Sequence, residues 1–158
     1  MAAVDEYLFN RAAQIAAQAD IPWVELDGCT VLVTGSTGLI GSQVVRTLLS
    51  RNDHFSAGIK VILPVRNIMK AQALFGERDD VSVLEWSLGD SLKGPEYVDY
   101  VIHAACGTSS KSFLETPATT IMQIVHGGEA VLKYACSADV QKVLFLSTME
   151  VYLSLIHI

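Results

Sequence analysis

The stretch Thr30-Val31-Leu32-Val33-Thr34-Gly35-Ser36-Thr37-Gly38-Leu39-Ile40-Gly41 decides the fold. An apolar, β-branched run is broken by glycine, after which Leu39, Ile40, Val44, Val45, Leu48 and Leu49 return at helical spacing. That pattern reads as a strand, a tight loop and a helix. Gly35 supplies the backbone freedom of the turn, Gly38 lets the main chain come close to a phosphate, and Gly41 lets the helix pack against the strand. The free amides of the first helical turn and the helix dipole then face an anion. Three glycines alone are a weak pattern, but between a buried strand and an amphipathic helix they describe a dinucleotide loop, with Thr37, Leu39 and Ile40 beside the cofactor.

Working outward, residues 5–18 carry Tyr7, Leu8, Ala12 and Ile15 at near-helical spacing and predict a leading helix ended by Pro22. Downstream, the apolar runs at 59–65, 81–88, 97–105 and 142–147 predict strands. Helical patterns at 67–75 and 117–138 lie between them, the second despite Gly127 and Gly128. Strands without polar alternation, separated by helices, mean a parallel sheet covered on both faces. The expected fold is therefore α/β, a doubly wound, Rossmann-type sheet spanning residues 28–152, preceded by a helical extension over 1–27.

Composition narrows the partners. The 158 residues are 51% hydrophobic and 18% charged, enough apolar material for one domain's core. A net charge of −6 without a basic stripe argues against nucleic acid. No cationic segment leads an apolar run, and no stretch nears the roughly 20 apolar residues of a bilayer span, so no membrane and a cytoplasmic location are expected. Cys29, Cys106 and Cys136, odd in number and in apolar surroundings, are expected to be reduced core thiols, with no metal site.

Further motifs fall in order along the chain. Gly89-Asp90 follows the third strand, Asp99 to Ala105 (DYVIHAA) forms the fourth, and Ser147-Thr148-Met149-Glu150-Val151-Tyr152 follows the fifth. Together with the glycine loop, these resemble the NAD-dependent epimerase/dehydratase family of the extended short-chain dehydrogenase/reductase superfamily over residues 28–152. The resemblance implies that Asp90 contacts the adenine and that Ala104 and Ala105 line the cofactor. It also implies that Thr148 hydrogen-bonds the substrate oxygen and that Glu150 serves as a base. The implied substrate is a nucleotide sugar, and the implied activity an oxidoreductase or isomerase reaction through NAD or NADP. The implied full-length parent can be a homodimer.

The second strand ends Leu63-Pro64-Val65-Arg66-Asn67, with no acid to hold both ribose hydroxyls of NAD. Arg66 offers a planar fork for an extra phosphate or for stacking on adenine, so the cofactor reading is NAD or NADP with a slight lean to NADP.

Two departures from the family pattern bear on chemistry. Met149 stands where the dehydratases carry an acidic proton donor, which weighs against dehydration and leaves epimerisation, decarboxylation or reduction. The family's Tyr-x-x-x-Lys pair, a phenol lowered in pKa by the lysine, occurs nowhere in the sequence. His126 occupies the last residue before Gly127 in the family's Asn-x-x-Gly stretch, whose asparagine position is Ile124, and reads as a structural residue near the sheet. The final residues 153–158, LSLIHI, are those encoded in one frame by the mosaic end of a transposon-based sequencing adapter. They are expected to be a non-native tail on a fragment truncated after the fifth strand, itself inactive. The alternatives are a non-catalytic NAD(P)-binding regulatory module and an NADP-dependent carbonyl reductase.

Overall fold

A computed structural model describes residues 2–107 and 110–147. Its elements are α1 (Ala2–Ala16), a 3-10 turn (Trp23–Glu25), β1 (Thr30–Thr34), α2 (Leu39–Phe55), β2 (Lys60–Val65), α3 (Ile68–Phe75), β3 (Val81–Glu85), β4 (Tyr100–His103), α4 (Ser110–Glu115), α5 (Pro117–Ser137) and β5 (Lys142–Phe145). Five parallel strands lie in the order β3-β2-β1-β4-β5.

The centre of the sheet is β1 because its residues are apolar on both sides. Val31, Leu32 and Val33 are all buried. Val31 and Val33 join Val61 and Leu63 of β2 under Val45, Leu48 and Leu49 of α2 and Phe75 of α3. Leu32, Ile62 and Val101 face the other way, into Val131, Tyr134 and Ala138 around α5. Two cores on opposite faces are the doubly wound arrangement expected from strands without polar alternation. Because strand order reverses beside β1, the loop after β1 opens at the sheet's switch point, where such folds bind ligands.

The extension over the first residues takes a definite place. Helix α1 packs on α2, with Ala12 and Ala16 fully buried. The Gln43 amide donates to the Leu8 carbonyl and the Arg51 guanidinium to the Ala16 carbonyl, both at 3.2 Å. It ends at Ala16 rather than at Pro22, which instead caps the 3-10 turn. The turn is pinned by Trp23, whose indole donates to the Gln18 carbonyl.

Other boundaries shift for local reasons. The third strand stops at Glu85 because Trp86 swings into the second core and its indole donates to the Asp90 carbonyl, closing a turn. The fourth begins at Tyr100, since Val98 is already buried in a loop. Helix α4 is too short for its periodicity to show in sequence. The cysteines are free, but the expectation of core thiols fails: Cys106 and Cys136 are exposed and Cys29 is half-buried. Cys106 sits in the loop after β4, and Cys136 on the open face of α5, whose buried face is formed by Val131, Tyr134 and Ala135. Among the described residues no helix is long and apolar enough to cross a membrane.

Candidate dinucleotide site at the end of the first strand

The glycine loop is built by close approach. Gly35 has φ +69°, and a Cβ there would lie 2.6 Å from the backbone of Ala104 and Ala105. Only glycine lets the loop after β1 rest on the end of β4. A Cβ on Gly41 would collide with the Gly35 carbonyl oxygen, so the first turn of α2 lies directly on the loop. Gly38 differs from both. Its backbone is extended (φ −86°, ψ 177°) and a Cβ would meet only the Gly35 oxygen, at 3.2 Å.

Gly38 caps α2, and no side chain closes that end. The Gly38 amide donates back to the Gly35 carbonyl and the Ser42 amide to the Gly38 carbonyl. The amides of Leu39, Ile40 and Gly41 are the first-turn donors that a helix leaves without an internal partner. Leu39 is 86% and Ile40 57% exposed, so this end of the helix is open. Ser36 is fully buried, and its hydroxyl lacks a hydrogen-bond partner. A buried hydroxyl normally has one. An unsatisfied hydroxyl, open amides and a positive helix end together fit a bound pyrophosphate.

Beneath the loop lies a contact the sequence reading missed. Thr34 Oγ1 and His103 Nδ1 are 2.7 Å apart and buried. The hydroxyl also accepts the Ala105 amide at 3.3 Å. Burial pushes the His103 pKa down, which favours the neutral ring. The ring packs at a tilt against Phe145, with ring centroids 4.6 Å apart. Polar residues at the C-terminal ends of otherwise apolar strands were the available signal for both partners.

Arg66 follows β2 directly and is exposed. The amide of Trp86, just after β3, donates to the carbonyl of Val65, so the ends of these two strands sit side by side. Gly89 has φ +104°, and Asp90 is exposed in the turn closed by Trp86. A depression of about 450 Å³ lies between this turn and α5, lined by Leu88, Asp90, Met122, Gln123 and His126 among others. His126 is thus an exposed rim residue and not one near the sheet; Gly127 takes that place, its missing Cβ leaving room for Leu88. Ala104 and Ala105 are partly buried against Gly35, as the loop requires.

Asp99 opens the fourth-strand motif but works at the opposite end of the strands from the glycine loop. It accepts from the Thr30 amide (2.8 Å), the Tyr97 hydroxyl (2.6 Å) and the Gln141 side chain (2.9 Å), tying β1, β4 and β5 together. Burial works to raise its pKa, yet these hydrogen bonds outweigh it and hold the carboxyl below its ordinary range. Thr148 and Glu150 lie outside the described residues, as do residues 153–158. Among the described residues no cluster of His, Cys, Asp or Glu could hold a metal ion.

Comparison with known proteins supplies a context for this geometry. The model of the NAD dependent epimerase/dehydratase family matches residues 31–156. A UDP-glucose 4-epimerase of Halalkalibacterium halodurans is 28% identical over 127 residues, covering 77% of this chain and 35% of that protein. A dTDP-glucose 4,6-dehydratase of Streptomyces antibioticus is 31% identical over 134 residues, covering 80% and 39%. Among solved structures, the epimerase Mth375 of Methanothermobacter thermautotrophicus superposes with a TM-score of 0.65 at 23% identity, covering 80% of this chain and 37% of that one, a likeness of fold. The chain spans less than two fifths of the length of the curated relatives it matches.

Proposed function

Because the chain belongs to the NAD-dependent epimerase/dehydratase family, we propose that it binds a nicotinamide dinucleotide along the ends of β1, β2 and β4 as the cofactor half of a nucleotide-sugar enzyme. The observation that carries this reading is the start of α2, open and without a side-chain cap, over a buried, unpartnered Ser36 hydroxyl. In this reading the amides after Gly38 hold the pyrophosphate, Thr37, Leu39 and Ile40 flank it, Asp90 meets the adenine, and Ala104 and Ala105 line the nicotinamide side. The bound nicotinamide supplies a reversible hydride acceptor.

The finer assignments rest on residue chemistry. Arg66 stands free in solvent where a carboxylate would select NAD, which supports NADP. Thr148 would hydrogen-bond the sugar oxygen and Glu150 would hold a proton beside it. Neither replaces the phenol of a Tyr-x-x-x-Lys pair, whose loss as a general base costs on the order of 10²–10⁴ in rate. The 158-residue chain is therefore expected to bind cofactor without turning over a sugar.

The test is titration of the chain with NAD and NADP, followed by product chromatography with UDP-, dTDP-, GDP- and CDP-linked sugars. Saturable dinucleotide binding without turnover is the expected result; absence of dinucleotide binding overturns the proposal. Turnover by this chain would place the catalytic group among His103, His126 and Glu150.

A further inference from the structure

A second cavity lies between α1, α2 and α3, with a volume of about 390 Å³. Its apolar walls are Phe9, Ala13, Leu49, Leu74 and Phe75, and Arg46 of α2 reaches it from within. Arg46 is only 5% exposed. Its guanidinium carbon lies 5.6 Å from the ring centre of Phe9 and 6.0 Å from that of Phe75, and its Nε is buried without a hydrogen-bond partner. No described carboxylate pairs with it. Asp53 also lines the cavity, but both its oxygens are taken by Arg78, which bonds Asp80 as well. His54 directs its Nδ1 to Ser50.

A buried guanidinium without an anion is an expensive arrangement, since ring faces offer it electrostatic attraction but no acceptor. A planar carboxylate is the partner whose geometry matches its fork, and the apolar walls would cover a hydrocarbon or aromatic body. Arg46 is eight residues beyond Gly38, about 12 Å along the helix axis, so this cavity is separate from the dinucleotide loop. From the unpaired, buried Arg46 facing a partly apolar cavity, we infer that the chain carries a second binding site, for a small organic carboxylate with an apolar body.

Octanoate and octanamide, titrated calorimetrically into the unaltered 158-residue chain, test the inference without any mutation. Octanoate should bind saturably with a Kd of about 1 mM or below, and octanamide about tenfold more weakly or worse. Saturating NAD or NADP should leave octanoate affinity unchanged. In Arg46→Met the acid should fall to the level of the amide, provided the variant keeps its circular dichroism spectrum. Equal binding of acid and amide, no saturable octanoate binding, or a folded Arg46→Met that keeps the preference would each overturn the site.

Discussion

The Thr34 hydroxyl lies 2.7 Å from His103 Nδ1, and this buried contact joins the ends of β1 and β4 where the dinucleotide loop begins. The two residues are 69 apart in sequence yet directly paired in the sheet. Thr34 spans the junction, receiving the Ala105 amide on the same oxygen. The loop therefore rests on a polar bridge inside an otherwise apolar sheet, and the cost of burying that bridge depends on the charge of the imidazole, which burial disfavours.

Stability should reflect that dependence. Burial lowers the folded-state pKa of His103. The unfolded chain takes up its proton near the ordinary value of about 6.5, while the folded chain resists it. The stabilisation is present above that value and is lost as pH falls through the interval down to the lowered pKa. Thermal melts from pH 8 to 5 should show a decline that His103→Gln flattens. An unchanged slope in that variant would assign the titration to another group.

The three loop glycines should separate in experiment. Gly35→Ala forces a side chain into left-handed backbone and against Ala104, and should cost more than about 2 kcal/mol of stability. Gly38→Val keeps an allowed, extended backbone, and its Cβ meets only the Gly35 oxygen, at 3.2 Å. It should lose less stability than Gly35→Ala yet bind dinucleotide at least about tenfold more weakly, a loss of roughly 1.4 kcal/mol. Cofactor-induced thermal stabilisation measured on both variants distinguishes folding from binding.

Arg66→Ala should lower NADP affinity by about tenfold while changing NAD affinity little, since only NADP carries the extra phosphate. Fluorescence titration of the two cofactors gives the ratio. Equal ratios in parent and variant would remove Arg66 from cofactor selection.

Arg78 bridges two carboxylates, at 2.7 Å from Asp53 and 2.7 Å from Asp80, and joins the end of α2 to the start of β3. Its hydrogen bonds hold Asp80 below the ordinary carboxylate range. A lowered carboxylate pKa stabilises the fold above the unfolded value of about 3.9, and that contribution disappears as pH falls. Arg78→Met should cost about 1–2 kcal/mol at neutral pH, discounted for partial exposure. The difference from the parent in urea melts should shrink below pH 4.

Legibility in the sequence followed the range of the interaction. The unit β1-loop-α2 was readable because an apolar run, glycine spacing and helical periodicity are all local. The parallel sheet followed from strands that lack polar alternation. The Thr34 and His103 contact joins residues 69 apart along the chain; each is marked locally as a polar residue ending an apolar strand, but no local pattern pairs them. Arg46 is a charged residue on an amphipathic helix that is buried between Phe9 of α1 and Phe75 of α3, a tertiary contact that no local pattern carries. Strands β3 and β4 came out shorter than their apolar runs because Trp86 and Val98 are buried from turns, a distinction hydropathy does not carry.

The register of the sheet also dictates an order of assembly during synthesis. Strand β1 aligns with β2 through Thr30 and Lys60 and with β4 through Val31 and Tyr100. One side of the central strand can thus be paired as soon as β2 has emerged. The other waits until the ribosome has added the residues from Val65 to Tyr100, roughly two to seven seconds at typical elongation rates. Throughout that interval the nascent β1 presents an apolar edge to its surroundings, and the loop at Gly35 has no Ala104 to rest against. The glycine loop is therefore translated well before the segment that gives it its native support.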